Sequence, residues 1–73
     1  MTNFFRDRDN TLININHISL IEPIIQYSNC YGYVIILQSG KRIEYNFKSL
    51  NAEADCRNDY NRLMNKIGEL GGN

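Results

Sequence analysis

Residues 33–47 place the strongest constraint on the fold, because their apolar side chains alternate along two arms that are separated by a turn. Alternation with a period of two is typical of β-strands. The connecting loop contains a glycine, which supplies the positive φ that tight hairpin loops favour. The pattern predicts an antiparallel hairpin in which Ile35 faces Ile43 and Tyr33 faces Tyr45, since a slip by one residue would separate these apolar pairs.

Residues 51–70 carry the pattern of an amphipathic helix, because apolar residues recur there at steps of three and four. Ser49 or Asn51 is suited to cap its first turn, and Gly71 is suited to end it. One apolar helix face and one apolar sheet face are the two surfaces that a two-layer domain needs. The predicted apolar stripe contains Cys56, Tyr60, Leu63, Ile67 and Leu70.

Residues 11–26 are predicted to be extended, because Ile13 and Ile15 alternate with polar residues and a second, β-branched strand follows from residue 18. Pro23 indicates a break in this second strand or a position at a sheet edge. The predicted fold class is α+β, with a three- to four-stranded antiparallel meander and one C-terminal amphipathic helix packed on one face. We expect a flexible N-terminal arm at 1–10, a single domain at 11–70, and a disordered tail at 71–73.

A chain of 73 residues forms one domain and buries only about 60% of the surface that its unfolded form exposes. Domains of this size are often stabilised by disulfides, metals or partners. Cys30 and Cys56 are too few for a disulfide framework and match no zinc spacing, so we expect reduced, apolar cysteines. With His17 as the only histidine, we expect no metal and no cofactor.

No apolar run approaches the roughly 20 residues of a membrane span, and the charged start does not resemble a signal peptide. We therefore expect a cytoplasmic protein that does not bind a membrane. Eight basic and eight acidic residues give a formal net charge of zero, whereas strong non-specific nucleic-acid binders carry a basic excess.

The strand at 33–37 is apolar on both faces, because Val34 and Ile36 point away from the predicted helix. Either the N-terminal arm, with Phe4 and Phe5, or another subunit has to cover that second face. The sequence favours a non-catalytic protein-interaction or regulatory module that self-associates or binds another protein, through this face or an edge strand. We expect no small-molecule substrate.

The alternative hypothesis is a weak single-stranded nucleic-acid-binding protein. Aromatic side chains on a sheet with basic residues at its margin suit such binding, and the candidates are Tyr27, Tyr31, Lys41 and Arg42. An enzyme is not expected, because nothing in the spacing brings a nucleophile or an orienting carboxylate to His17.

Residues 15–23 and 33–43 contain a short strand, an Ile-x-x-Ile-Glu strand and a strand with a glycine-turn hairpin. Over residues 11–47 the chain resembles small FlbD-like flagellar-associated proteins and uncharacterised bacterial or phage β-meander proteins. It is more distantly similar to the opening of LytTR-type DNA-binding domains. The resemblance implies a bacterial or phage accessory protein. The chain departs from both families beyond this stretch, so no functional residue is carried over.

Overall fold

The computed structural model describes residues 3–70, with side chains as far as residue 68, and the predicted tail at 71–73 lies outside that range. It is an α+β fold, as predicted. Among the described residues, no helix combines the length and the apolar character that crossing a membrane demands. The elements are β1 Phe4–Arg6, β2 Leu12–Asn14, a 3-10 turn Ile15–His17, β3 Ile18–Tyr27, β4 Cys30–Leu37, β5 Arg42–Phe47 and α1 Ala52–Leu70.

The central sheet is an antiparallel meander with the strand order β3-β4-β5. The predicted hairpin register is confirmed, since Tyr33 pairs with Tyr45 and Ile35 pairs with Ile43. Gly40 has a φ of 93° in the connecting loop. Glycine adopts this left-handed region without the steric penalty that a side chain brings, so turn chemistry and side-chain alternation select the same register.

Strand β3 forms one edge of the meander and is irregular at two places. Its register against β4 shifts between Ile18 and Leu20 and again between Glu22 and Ile25. Each shift places one additional residue on β3, which is the geometry of a β-bulge. Pro23 lies within the second bulge, where a missing N–H does not interrupt the ladder.

The helix α1 packs across one face of the meander. Tyr33, Ile35 and Tyr45 project from the sheet into this layer, and Cys56 and Leu63 project from the helix. All five are at most 1% exposed. The predicted helical stripe is therefore confirmed as far as residue 67, where Ile67 packs against the same cluster.

From residue 3 onwards the N-terminal segment is not a flexible arm, and for these residues that prediction is wrong. Strands β1 and β2 pair in an antiparallel two-stranded sheet, which we call the N-terminal ribbon. One face of the ribbon packs into the core, where Phe5 is only 2% exposed and Ile13 only 4%. Because burial of an aromatic side chain is among the largest apolar contributions to folding, Phe5 is part of the core.

The loop between β1 and β2 is organised by the carboxylate of Asp7. Its Oδ1 accepts hydrogen bonds from the backbone N–H groups of Asp9, at 2.9 Å, and Thr11, at 2.8 Å. Its Oδ2 accepts one from the Tyr45 hydroxyl at 2.7 Å. Asn10 has a φ of 69° in this loop, and asparagine tolerates that conformation better than most residues. Asp7 thereby joins the ribbon to β5.

Arg62 joins the ribbon to α1. Its guanidinium lies 4.6 Å from the centre of the Phe5 ring and donates to the Arg6 carbonyl at 2.7 Å. The same group donates to Asp59 Oδ1 at 2.7 Å. A planar guanidinium can stack and donate at once, so this one side chain fixes the ribbon against the helix.

Candidate functional site

The face of the meander opposite α1 is the candidate site, and we call it the outer face. Successive residues of a strand point to opposite sides of a sheet, so the strand pairing defines which residues share this face. The rows across β3, β4 and β5 are Leu20–Ile36–Arg42, Glu22–Val34–Glu44 and Ile25–Gly32–Asn46.

Ion pairs cross the middle of the outer face. The Arg42 guanidinium lies 3.3 Å from Glu44 on its own strand and 3.6 Å from Glu22 on β3. To reach Glu22 from β5, the Arg42 side chain has to pass over β4. Val34 lies beneath this crossing and is only 8% exposed.

At one end of the outer face, a hydrogen bond crosses the sheet above a glycine. The Tyr27 hydroxyl donates to Asn46 Oδ1. A Cβ at Gly32 would lie 3.3 Å from the Tyr27 hydroxyl oxygen and 3.0 Å from Asn46 Oδ1. The absence of a side chain at Gly32 therefore leaves room for the crossing. Desolvation and then the neighbouring Cys30 thiol raise the pKa of Tyr27.

The remaining apolar surface lies towards β3. Leu20 is 53% exposed and Ile25 is 48% exposed, and both project from β3 onto the outer face. Ile36 beside Leu20 is half-buried. Single exposed apolar residues are ordinary, whereas neighbouring apolar residues on one face, such as Leu20 and Ile36, are typical of interaction surfaces. On β3 the outer face therefore carries Leu20 and Ile25 on either side of Glu22, next to the polar side chains of β5.

The predicted interaction residues divide between two regions of the molecule. Val34 and Ile36 are neighbours on the outer face, and Val34 lies beneath the ion pair between Arg42 and Glu22. Phe5 lies in the core on the helix side, so it is not available to a partner. Phe4 is 45% exposed on the ribbon. Because Phe5 packs on the helix side, the ribbon does not cover the outer face, and that half of the prediction is wrong.

The four nucleic-acid candidates do not form one patch. Tyr27 and Tyr31 lie at one end of β4, and Lys41 and Arg42 lie at the other. The eight residues of β4 separate these ends by roughly 20–25 Å at the usual strand rise. Tyr31 also packs partly against the core. The cation of Arg42 is already shared between two carboxylates.

Nucleophilic and metal chemistry find little support in the arrangement of side chains. Cys30 and Cys56 are free and buried. Desolvation and the Asp59 carboxylate raise the pKa of the Cys56 thiol, and the thiol form is a poor nucleophile. His17 is exposed in the 3-10 turn. Over residues 3–70, no cluster of His, Cys, Asp or Glu is suited to hold a metal ion.

Sequence reasoning missed Leu20 and Ile25 as members of the outer face. The bulge at Pro23 inserts one residue between Glu22 and Ile25, which returns Ile25 to the face that Glu22 occupies. A proline inside a strand pattern is itself a signal for a bulge. Strict alternation continued through Pro23 would have placed Ile25 on the helix side.

Comparisons with protein-family models, with curated proteins and with solved structures give no match for this chain, so the resemblance to FlbD-like proteins stays a prediction.

Proposed function

We propose that this protein is a non-catalytic interaction module that self-associates by stacking the outer faces of two copies. The observation that carries the proposal is the pair of half-exposed residues, Leu20 and Ile25, on a sheet face that α1 and the ribbon leave uncovered. Stacking of two sheets through such faces is a common way to bury them.

The charges of the outer face suit a second copy of the same chain. A two-fold axis that crosses the strands between the Ile36 row and the Val34 row sets Arg42 of each copy opposite Glu44 of the other. The same axis sets Ile36 opposite Val34 and Leu20 opposite Glu22. An isologous interface of this kind repeats each contact twice, and a formal net charge of zero adds no long-range repulsion.

The size of the face sets the expected affinity. Three strands spaced about 4.8 Å apart, over the six residues of β5 to the ten of β3, present roughly 300–450 Å² per copy. Twice that area still lies below the roughly 1,200 Å² of a stable standard interface. We therefore expect a weak dimer, with a dissociation constant on the order of 10–100 µM.

Charge reversal in separate chains tests the arrangement. Arg42→Glu and Glu44→Arg should each weaken dimerisation by at least about tenfold, because two ion pairs become two like-charge contacts. An equimolar mixture of the two variants should associate again, since a chain with acids at both positions then meets a chain with bases at both. Sedimentation equilibrium measures the association of each variant alone and of their mixture.

Arg57→Glu and Glu53→Arg are the matched controls, because Arg57 and Glu53 form a comparable 3.1 Å ion pair on the exposed side of α1. They change the net charge by the same amounts and should leave dimerisation unchanged. The proposal fails if the unmodified chain stays monomeric up to about 1 mM, if the controls weaken association equally, or if mixing restores nothing.

A further inference from the structure

A second surface lies at the end of the molecule where the ribbon meets the β4–β5 hairpin, and we call it the end groove. It has a volume of about 360 Å³. Phe4 and Leu12, both about half exposed, line it from the ribbon, and Leu37 and Ile43 line it from the hairpin. The end groove is separate from the outer face and has no part in the proposed dimer.

The end groove lies beside β2, which has a free edge. Four consecutive residues, 11–14, line it. These residues include the whole of β2, so the groove borders that strand over its full length. Strand β1 occupies one edge of β2, and within residues 3–70 no strand pairs with the other.

The free strand edges within residues 3–70 differ in what contacts them, and on β1 the Arg6 carbonyl accepts a hydrogen bond from Arg62. Strand β3 is interrupted by two bulges and by Pro23, which are devices that hinder the addition of another strand. On β5, the Asn46 carbonyl accepts a hydrogen bond from Arg8. The pairing of β2 contains neither a bulge nor a proline, which is also true of β5, and what distinguishes the β2 edge is the groove beside it.

The charge of the end groove selects its occupant. Lys41 and His17 both line the end groove. All of the lining residues lie within the described range 3–70, and none of them is Asp or Glu. Lys41 is exposed and forms no ion pair with any described residue. A carboxylate is the complement of this ammonium group, and apolar side chains are the complement of the remaining walls.

We propose that the end groove binds an extended peptide segment of a partner protein, rich in apolar and acidic residues, which adds to β2 as a third strand of the ribbon. Backbone hydrogen bonds along the edge supply affinity in this mode of recognition, and alternate side chains supply specificity. A carboxylate of the segment pairs with Lys41, while its apolar side chains contact Phe4, Leu12 and Ile43. Nucleic acid is disfavoured, because a single lysine among apolar residues offers little to a phosphate backbone.

Fluorescence anisotropy with designed peptides tests this proposal. The probe is a short labelled peptide of alternating valine and glutamate. One comparison peptide replaces each glutamate with lysine, and another carries N-methyl groups that remove the edge-facing backbone donors. We expect the acidic peptide to bind and both comparison peptides to bind at least about tenfold more weakly.

Two variants of the chain complete the test. Lys41→Glu should weaken binding of the acidic peptide at least about tenfold, while Lys48→Glu, a matched charge change at the opposite end of the meander, should change it less than about twofold. The proposal is overturned if the acidic and basic peptides bind alike, if the two variants behave alike, or if no binding saturates below about 1 mM.

Other occupants give different results. If oligothymidylate binds in a Lys41-dependent manner and the acidic peptide does not, the partner is nucleic acid and the proposal is wrong. If Leu12→Asp abolishes self-association of the chain, a second copy occupies the groove and the proposal is again wrong. Leu12 is about half exposed, so this change leaves the core intact. Neither result depends on whether the outer face forms a dimer.

Discussion

The Tyr33 hydroxyl donates a 2.6 Å hydrogen bond to Asp59 Oδ2, which connects the middle of the sheet to the middle of α1. Both residues are buried, and Asp59 also accepts from Arg62, which in turn holds the ribbon. A buried carboxylate is costly unless hydrogen bonds satisfy it. The meander and α1 therefore meet at one satisfied polar group inside an apolar core, and Arg62 connects the ribbon to the same group.

Tyr33→Phe should lower the free energy of unfolding by about 1.5–3 kcal/mol, because it removes a hydrogen bond to a buried carboxylate. Tyr60→Phe is the matched control. The Tyr60 ring contacts the Tyr33 ring edge-on at 5.3 Å, and its hydroxyl forms no hydrogen bond with another residue of the range 3–70. Urea denaturation should show a large effect for the first change and less than about 0.5 kcal/mol for the second. Equal effects would mean that the hydrogen bond to Asp59 contributes nothing specific.

Asp7→Ala should destabilise the protein by about 2–4 kcal/mol, because three hydrogen bonds end at this one buried carboxylate. Hydrogen exchange of the backbone amides in β1 should also become faster in this variant, since the ribbon loses its attachment to Tyr45. Asp9→Ala removes an exposed carboxylate in the same loop and should cost no more than about 0.5 kcal/mol. Unchanged exchange in Asp7→Ala would show that the ribbon is held by its apolar contacts alone.

Alkaline pH should unfold the protein. The ordinary pKa of tyrosine is 10.0, and the pKa of both Tyr33 and Tyr45 is raised, first by desolvation and then by hydrogen bonds to Asp59 and Asp7. Above about pH 10 the unfolded chain therefore loses phenolic protons that the folded chain keeps. The contribution of the two tyrosines is full below that pH and falls above it by up to about 1.4 kcal/mol per pH unit for each tyrosine. The Cys56 thiol, whose pKa is also raised, adds a fall that begins near its ordinary pKa of 9.0.

Urea midpoints measured between about pH 8 and about pH 11.5 should detect this fall. In Tyr33→Phe the urea midpoint should fall less steeply with pH, because one of the two tyrosines with a raised pKa is gone. A midpoint that is constant over this range would contradict the assignment of Tyr33 and Tyr45 as buried, neutral donors.

Gly32→Ala should destabilise the protein by about 1–3 kcal/mol, because the new Cβ would lie 2.5 Å from the Tyr45 carbonyl oxygen. The backbone has to move to relieve that contact. Gly68→Ala is a control of opposite sign, since a Cβ there meets nothing within 4 Å and alanine favours a helix by up to about 1 kcal/mol. The midpoint temperature of thermal unfolding should decrease for the first change and increase for the second. An unchanged midpoint for Gly32→Ala would refute the close approach of Gly32 to the Tyr45 carbonyl oxygen.

The hairpin at 33–47 could be predicted to the residue, because two independent local signals agree there. Alternation of apolar side chains and the position of Gly40 allow only one register. The stripe on α1 was predictable for a similar reason, since its apolar spacing extends over many turns. Long periodic patterns carry enough repetition to outweigh local exceptions.

The N-terminal ribbon could not be predicted in this way. Strands of three residues are too short to show a period, and charged residues surround the Phe4–Phe5 pair. What holds the ribbon is distant in sequence: the Arg62 guanidinium on Phe5 and the Tyr45 hydroxyl on Asp7. Contacts between residues so far apart leave no local signature.

The outer face shows the same division. The sequence by itself determined that Val34 and Ile36 lie opposite the helix, because a strand alternates its side chains whatever surrounds it. Only the tertiary structure decided that Val34 is covered while Leu20 and Ile25 are exposed. That outcome depends on the crossing of Arg42 over β4 and on the bulge at Pro23, and both arise from strands that have already paired.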